Sequence, residues 1–207
     1  MTLKNIKYIL LIIARVYLLV FILYSILGLI DHLSPSIDFS TVKSLRKESK
    51  PSEWKIILLL GLKSLIIAPV IEELMFRKPM KFSKISIIIL LLTLLFSIIT
   101  LVIKPNLNFY FLGTYVIFML GFYFFFRKKK IMNYITLIFT SLVFGIFHVN
   151  NIETIETHQW YLYIYKIFPL IILGFGLGVI RLKLNTLWSI VGHSFFNLIP
   201  FFFKYIM

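Results

Sequence analysis

The sequence predicts an all-α fold, a polytopic transmembrane bundle of about seven helices, and three observations carry that prediction. The chain is 60% hydrophobic and only 14% charged, with 22 phenylalanines among 207 residues. Its mean hydropathy is +0.96, well above a soluble domain, which is about half apolar and a quarter charged. Runs of about 18 or more mainly apolar residues, the length of a helix crossing a hydrocarbon core of roughly 30 Å, recur along the chain. No period-2 alternation suggests a barrel.

The runs fall at 6–30, 55–77, 85–103, 108–126, 132–149, 162–181 and 184–203. The first follows Lys4 and Lys7; it is too long for a signal peptide and no small-residue cleavage site follows, so it reads as a retained helix. The sixth contains "GFGLG", with Gly174, Gly176 and Gly178. Without a strand and turn before it, this is not a dinucleotide fingerprint; small residues that let helices pack closely are the better account. No repeat or low-complexity linker divides the chain. Residues 1–207 are expected to form a single integral membrane domain, with a motif-bearing core at 55–203 and the first helix, 6–30, packed alongside.

The connections set the expected topology. Basic residues collect in "RKPMKFSK" (77–84), "RKKK" (127–130) and "RLK" (181–183), whereas 150–161 carries Glu153 and Glu156 and no Lys or Arg. This places the N-terminus and the basic clusters in the cytoplasm and the acidic segment and the C-terminus outside. Segment 31–54 fits less well: it should be external yet holds Lys43, Arg46, Lys47 and Lys50, and within it "TVKSLRKESK" is expected to form a short interfacial helix. In so apolar a chain the net charge of +14 is a topological signal and not a nucleic-acid footprint. The expected surroundings are a lipid bilayer, with no nucleic-acid partner. Cysteine is absent, which removes disulfides and thiolate metal sites.

Chemistry is concentrated in few places. Six of the eight acidic residues, Asp31, Asp38, Glu48, Glu53, Glu153 and Glu156, lie in the polar connections, leaving Glu72 and Glu73 inside a run. His32 and His158 belong to the connections, while His148 and His193 are embedded in "SLVFGIFHV" and "SIVGHSFFN". Ionisable groups inside membrane helices are functional candidates by default. Glu73 and Arg77 are four apart in the favourable order for an ion pair on one face. Glu72 lies about 100° round the helix and can point elsewhere. His193 and Asn197 share a face, as do Phe144 and His148. Each has a structural reading as well: a Glu–Arg pair locks packing, a lone His satisfies a neighbour, and an Asn bonds helix to helix. Arg15, Lys63 and Lys166, also nominally within the membrane, read as snorkelling residues.

Taken together the motifs are specific. "EELMFR" fits E-E-x-x-x-R, "FGIFH" fits F-x-x-x-H and "HSFFN" fits H-x-x-x-N, in that order. The chain from about 60 to 200 resembles the CPBP family, the CAAX proteases and bacteriocin-processing enzymes also called Abi. The flanks "APVIEELMFR" and "LGFGLGVIRLKLNTLWSIVGHSFFN" agree. Two departures stand out: Lys78-Pro79 replaces the glycine that commonly follows the first motif, and two extra runs lengthen the gap from Glu73 to His148.

The resemblance implies an intramembrane endopeptidase of the bacterial cell membrane, acting on a membrane-associated or lipidated peptide of CAAX or bacteriocin-leader type, with its cavity among the helices carrying the three motifs. It implies that Glu72 and His148 hold and deprotonate a water, that Glu73 with Arg77 positions the helix, and that His193 and Asn197 donate to the oxyanion. Phe144 would give structural support. Zinc or another divalent metal on Glu72, His148 and His193 is the other form of the chemistry. A non-enzymatic immunity or scaffold protein of the same fold is the rival function. A proton-coupled relay is a third, without the inverted repeat a transporter of that kind commonly shows.

Hydropathy alone raises a geometric conflict. Glu73 is late in a helix running inward and His148 late in one running outward, so at about 1.5 Å per residue His148 lies roughly 24 Å from the face that Glu73 approaches. Bringing them together is expected to require the second helix to continue past Pro79 and the fifth past Asn150, with the "RKPMK" segment housed in protein or water.

Overall fold

A computed structural model describes residues 3–33, 54–81, 83–103, 107–126, 132–148 and 161–205. Seven helical runs account for them, with no strand among the described residues. They are α1 (Leu3–Leu33), α2 (Trp54–Met80), α3 (Lys84–Ile103), α4 (Leu107–Phe126), α5 (Met132–Phe147), α6 (Tyr161–Lys183) and α7 (Thr186–Tyr205). By length and composition, α1, α2, α3 and α7 carry apolar stretches long enough to cross a membrane. The segment "TVKSLRKESK", the "RKKK" cluster, the acidic connection 150–160, the side chain of Lys166 and any extension of α5 past Asn150 lie outside the described residues.

The packing is that of a protein in lipid. Leu58, Leu92, Ile99 and Phe125 are exposed, whereas Ser86, Thr93, Ser97, Thr140, Ser141 and Ser189 are buried between helices. Hydrocarbon outside removes any reason to hide leucine, and small hydroxyl residues let backbones approach while bonding across the interface. Arg15 and Lys63 are exposed on the helix surfaces.

At the centre, α2 packs against α3, α5, α6 and α7; the α3–α4 hairpin covers one side and α1 lies against α6 and α7 on another. The glycines of "GFGLG" make the close contacts. A Cβ on Gly174 would meet Ser141 of α5, one on Gly178 would meet Leu137, and one on Gly176 would meet Val16 of α1.

Helix α2 is not uniform. It runs as α-helix over Trp54–Leu62, widens to a π-turn at Lys63–Ile67, returns to α over Ala68–Glu72, widens again at Glu73–Arg77 and closes as a 3₁₀ turn at Lys78–Met80. Each π-turn is followed two residues later by a proline, Pro69 or Pro79. A proline ring clashes with the carbonyl one turn back and offers it no N–H, and widening that turn relieves the clash.

The freed carbonyls are satisfied from other helices, as a dry environment demands. Ala68 N–H turns to Lys63 O, Pro69 cannot serve Ser64 O, and Asn197 Nδ2 of α7 donates to it at 2.9 Å. Pro79 cannot serve Met75 O, and Tyr115 of α4 donates its hydroxyl there at 3.1 Å. In α7, Pro200 cannot serve Phe196 O, and Tyr17 of α1 donates to it at 2.9 Å. Thus three prolines create three points at which neighbouring helices are latched.

The expected continuation of α2 past Pro79 does not occur. The helix ends at Met80, and Lys81 is extended at φ −103, ψ 96. Pro79 and Met80 are buried, and the end is housed in protein: Ser86 Oγ lies 3.2 Å from Lys78 O and 2.9 Å from Lys81 O. The conflict in depth is resolved by register instead. Arg77 bonds to Thr140 O, and Met80 and Leu137 both approach Gly178, so α2 and α5 run antiparallel with Met80 opposite Leu137. Helix α5 therefore begins about five residues, roughly 7.5 Å, beyond the end of α2, and the two motif ends meet.

Candidate active site

The second π-turn opens at Glu73, directly after Glu72, so the paired glutamates sit where α2 changes pitch. They look in different directions. Glu73 is completely buried, while the Glu72 side chain is 20% exposed. His148, in the turn closing α5 where its N–H bonds Gly145 O at 3.2 Å, is 16% exposed, and His193 in the middle of α7 is 3% exposed. One carboxylate oxygen, Glu72 Oε2, faces His148 Nε2 at 3.7 Å and His193 Nε2 at 3.7 Å.

The far nitrogens fix the chemistry of the near ones. His148 Nδ1 lies 2.7 Å from Phe144 O; a carbonyl only accepts, so this nitrogen carries the hydrogen. His193 Nδ1 lies 3.1 Å from Glu73 Oε1 and donates to that carboxylate. In the neutral rings both Nε2 atoms then present lone pairs toward Glu72. Three acceptors converging across 3.7 Å call for a shared donor or cation between them, since that gap is too long for a direct hydrogen bond.

Glu73 is held on all sides. Ser189 donates its hydroxyl to Oε2, His193 occupies Oε1, and Arg77 Nε stands 4.0 Å from Oε2. The Glu73–Arg77 pair is thus the loosest of its contacts. Arg77, fully buried, sends Nη1 to Thr140 O at 3.4 Å and lies 4.7 Å above the Phe144 ring. Nε and Nη2 have no hydrogen-bond partner among the described residues. Phe144 is the common floor: its ring centroid is 4.7 Å from His148, 5.8 Å from His193 and 5.7 Å from Phe76.

Glu72, Glu73, His148 and His193 therefore form one cluster, backed by Arg77 and Phe144. Asn197 stands one turn further along α7, with an amide hydrogen committed to Ser64 O.

Two residues escaped the sequence reading. Ser189 is one turn before His193, so S-x-x-x-H-x-x-x-N is a three-turn polar stripe that extends the final motif backwards. Arg181, which looks like a topological charge, is buried and donates Nε to Arg77 O at 3.3 Å, tying α6 to the end of α2. Burial and the nearby Arg181 hold the Lys81 ammonium below the usual lysine range.

The two imidazoles and carboxylate are donors that zinc accepts, and their outer partners resemble those behind zinc-bound histidines. The spacing does not match: 3.7 Å exceeds the edge of about 3.4 Å implied by tetrahedral bonds of about 2.1 Å. Among the described residues no group of three His, Cys, Asp or Glu side chains stands at metal-holding spacing.

Helical architecture with apolar spans, buried polar contacts and a carboxylate–imidazole cluster at the meeting of three helices define the class of a helical membrane protein with a polar centre between its helices. The family described as type II CAAX prenyl endopeptidase Rce1-like matches residues 53–199, and the chain belongs to it, within the group also called CPBP or Abi. No curated protein and no solved structure matches. Helix α1 lies outside the matched segment.

Proposed function

We propose that the chain is an endopeptidase that hydrolyses a peptide bond in a membrane-associated or lipidated peptide, using water activated by Glu72 without a metal. The observation that carries this reading is the convergence of Glu72 Oε2 with the Nε2 atoms of His148 and His193, both imidazoles committed through Nδ1. A water donating to these acceptors is oriented and polarised in a site largely shielded from bulk solvent.

Water oxygen attacks the scissile carbonyl carbon as its proton passes to Glu72. The oxyanion that forms is met by an N–H of Asn197, whose Nδ2 carries a second hydrogen besides the one given to Ser64 O. When His193 takes up a proton, Glu73 behind it stabilises the imidazolium, as the buried carboxylate does in a serine-protease triad. The C–N bond then breaks with proton delivery to the amine nitrogen, giving a carboxylate and a free amine. Glu73, buried and fully engaged, positions His193; Glu72, partly exposed, touches the reacting water.

An apolar groove of about 460 Å³ between the start of α2 and the end of α7 is lined by Trp54, Leu58, Gly61, Leu65 and Phe201 among others, residues on both sides of Ser64 in the sequence. It suits the hydrocarbon part of such a substrate. The basic clusters favour a cytoplasmic N-terminus.

The test is cleavage by purified protein in lipid vesicles, with a farnesylated C-terminal peptide and its unprenylated counterpart, alongside metal analysis and chelator treatment. Cleavage that survives the chelator, in protein without stoichiometric metal, is expected. Loss of cleavage on chelation with recovery on adding zinc would overturn the metal-free mechanism, and cleavage of neither peptide would count against the substrate class.

A further inference from the structure

Away from the candidate active site, the start of α1 and the turn joining α6 to α7 enclose a pocket of about 400 Å³. Lys4, Lys7 and Lys183, all exposed, border it together with Asn5, and its surface, which includes Tyr8, Leu11 and Leu184, is almost wholly apolar. Three exposed cations border it with no carboxylate among the lining residues, a local excess of positive charge that attracts an anion.

The order of side chains matches one kind of molecule. Lys4, Lys7, Tyr8 and Leu11 follow the helical spacing of a single face of α1, so along seven residues, about 10 Å, that face passes from lysines to hydrocarbon. That is roughly the depth over which a bilayer passes from headgroups into acyl chains. Basic pockets between helices near the membrane surface suit phosphate-bearing headgroups.

We propose that this pocket binds an anionic phospholipid, its phosphate among Lys4, Lys7 and Lys183 and an acyl chain along Leu11 and Leu184. The lipid then bridges α1, which lies outside the family match, to the turn from which α7 carries Ser189 and His193. This does not depend on which bond the chain cleaves.

Native mass spectrometry and thermal unfolding of the full chain in neutral detergent, titrated with phosphatidylglycerol, phosphatidylcholine or inorganic phosphate, test it. At roughly fivefold per lysine, K4Q/K7Q/K183Q should weaken phosphatidylglycerol binding about a hundredfold and abolish the rise in Tm that this lipid gives the parent. K183Q alone, a milder change at an exposed position, should weaken it about fivefold. K55Q/K84Q, which removes two exposed lysines elsewhere, should leave binding unchanged. Equal affinity for phosphatidylcholine, full retention of binding in the triple variant, or an equal loss in K55Q/K84Q would overturn the proposal. Competition by inorganic phosphate at the same concentration would overturn it too, by showing a free-anion site.

Discussion

Replacing Gly174 by alanine tests whether the catalytic cluster depends on the close approach of α5 and α6. The added Cβ would stand 3.0 Å from Arg77 Nη2, 3.2 Å from Phe144 Cδ1 and 3.2 Å from Ser141 Cα. The last is backbone and the second a ring wedged between Arg77, Phe76 and two histidines, so neither yields without moving α5. Overpacking of this kind costs about 1–3 kcal/mol, against a helix-propensity gain of about 0.5–1 kcal/mol for alanine over glycine. Gly121 supplies the control, since a Cβ there meets nothing within 4 Å and G121A keeps only the gain. In thermal unfolding of purified protein in detergent, G174A should melt several degrees below G121A, and cleavage should fall with the displacement of Phe144. If G174A melts with G121A and cleaves normally, the tight α5–α6 contact is not what holds the site.

S189A removes the hydroxyl bonded to Glu73 and should cost about 1.5–3 kcal/mol, as for a hydrogen bond to a charged group; kcat should fall more than KM rises, because Glu73, which orients His193, loses a bond that fixes it. Y115F leaves Met75 O unsatisfied next to Pro79 and should lower stability by about 1–3 kcal/mol, read as a drop in Tm, with a smaller effect on cleavage. R181M, by freeing the end of α2 from α6, should lower Tm and make the Lys78–Lys81 turn accessible to protease in vesicles; an unchanged Tm would show that the Arg181–Arg77 bond is incidental.

The helical architecture was legible because hydrocarbon imposes length and composition on every span, and each of the seven apolar runs corresponds to one helical run. The cluster was legible for the same reason: Glu72, Glu73, His148 and His193 stand out where charge is expensive. Their depth was misjudged, because hydropathy marks where a run becomes polar and not where its helix lies against a neighbour. Arg77 looked like the end of a span, yet it is fully buried one turn from Glu73. Arg181 was missed because a buried arginine and a topological one look alike in sequence. Pro69, Pro79 and Pro200 were visible as letters, but the side chains that answer their freed carbonyls come from residues 40 to 179 positions away from those carbonyls, which only packing brings near.

The most direct measurement is single-turnover cleavage by E72Q in lipid vesicles, with Tm measured on the same preparation. Glutamine keeps the shape and removes the base, so cleavage should fall about 10²–10⁴-fold while Tm stays close to the parent, because Glu72 is partly exposed and Glu73 carries the buried contacts. Cleavage within a few-fold of the parent, by a variant that melts normally, would contradict the role assigned to Glu72 and the mechanism built upon it.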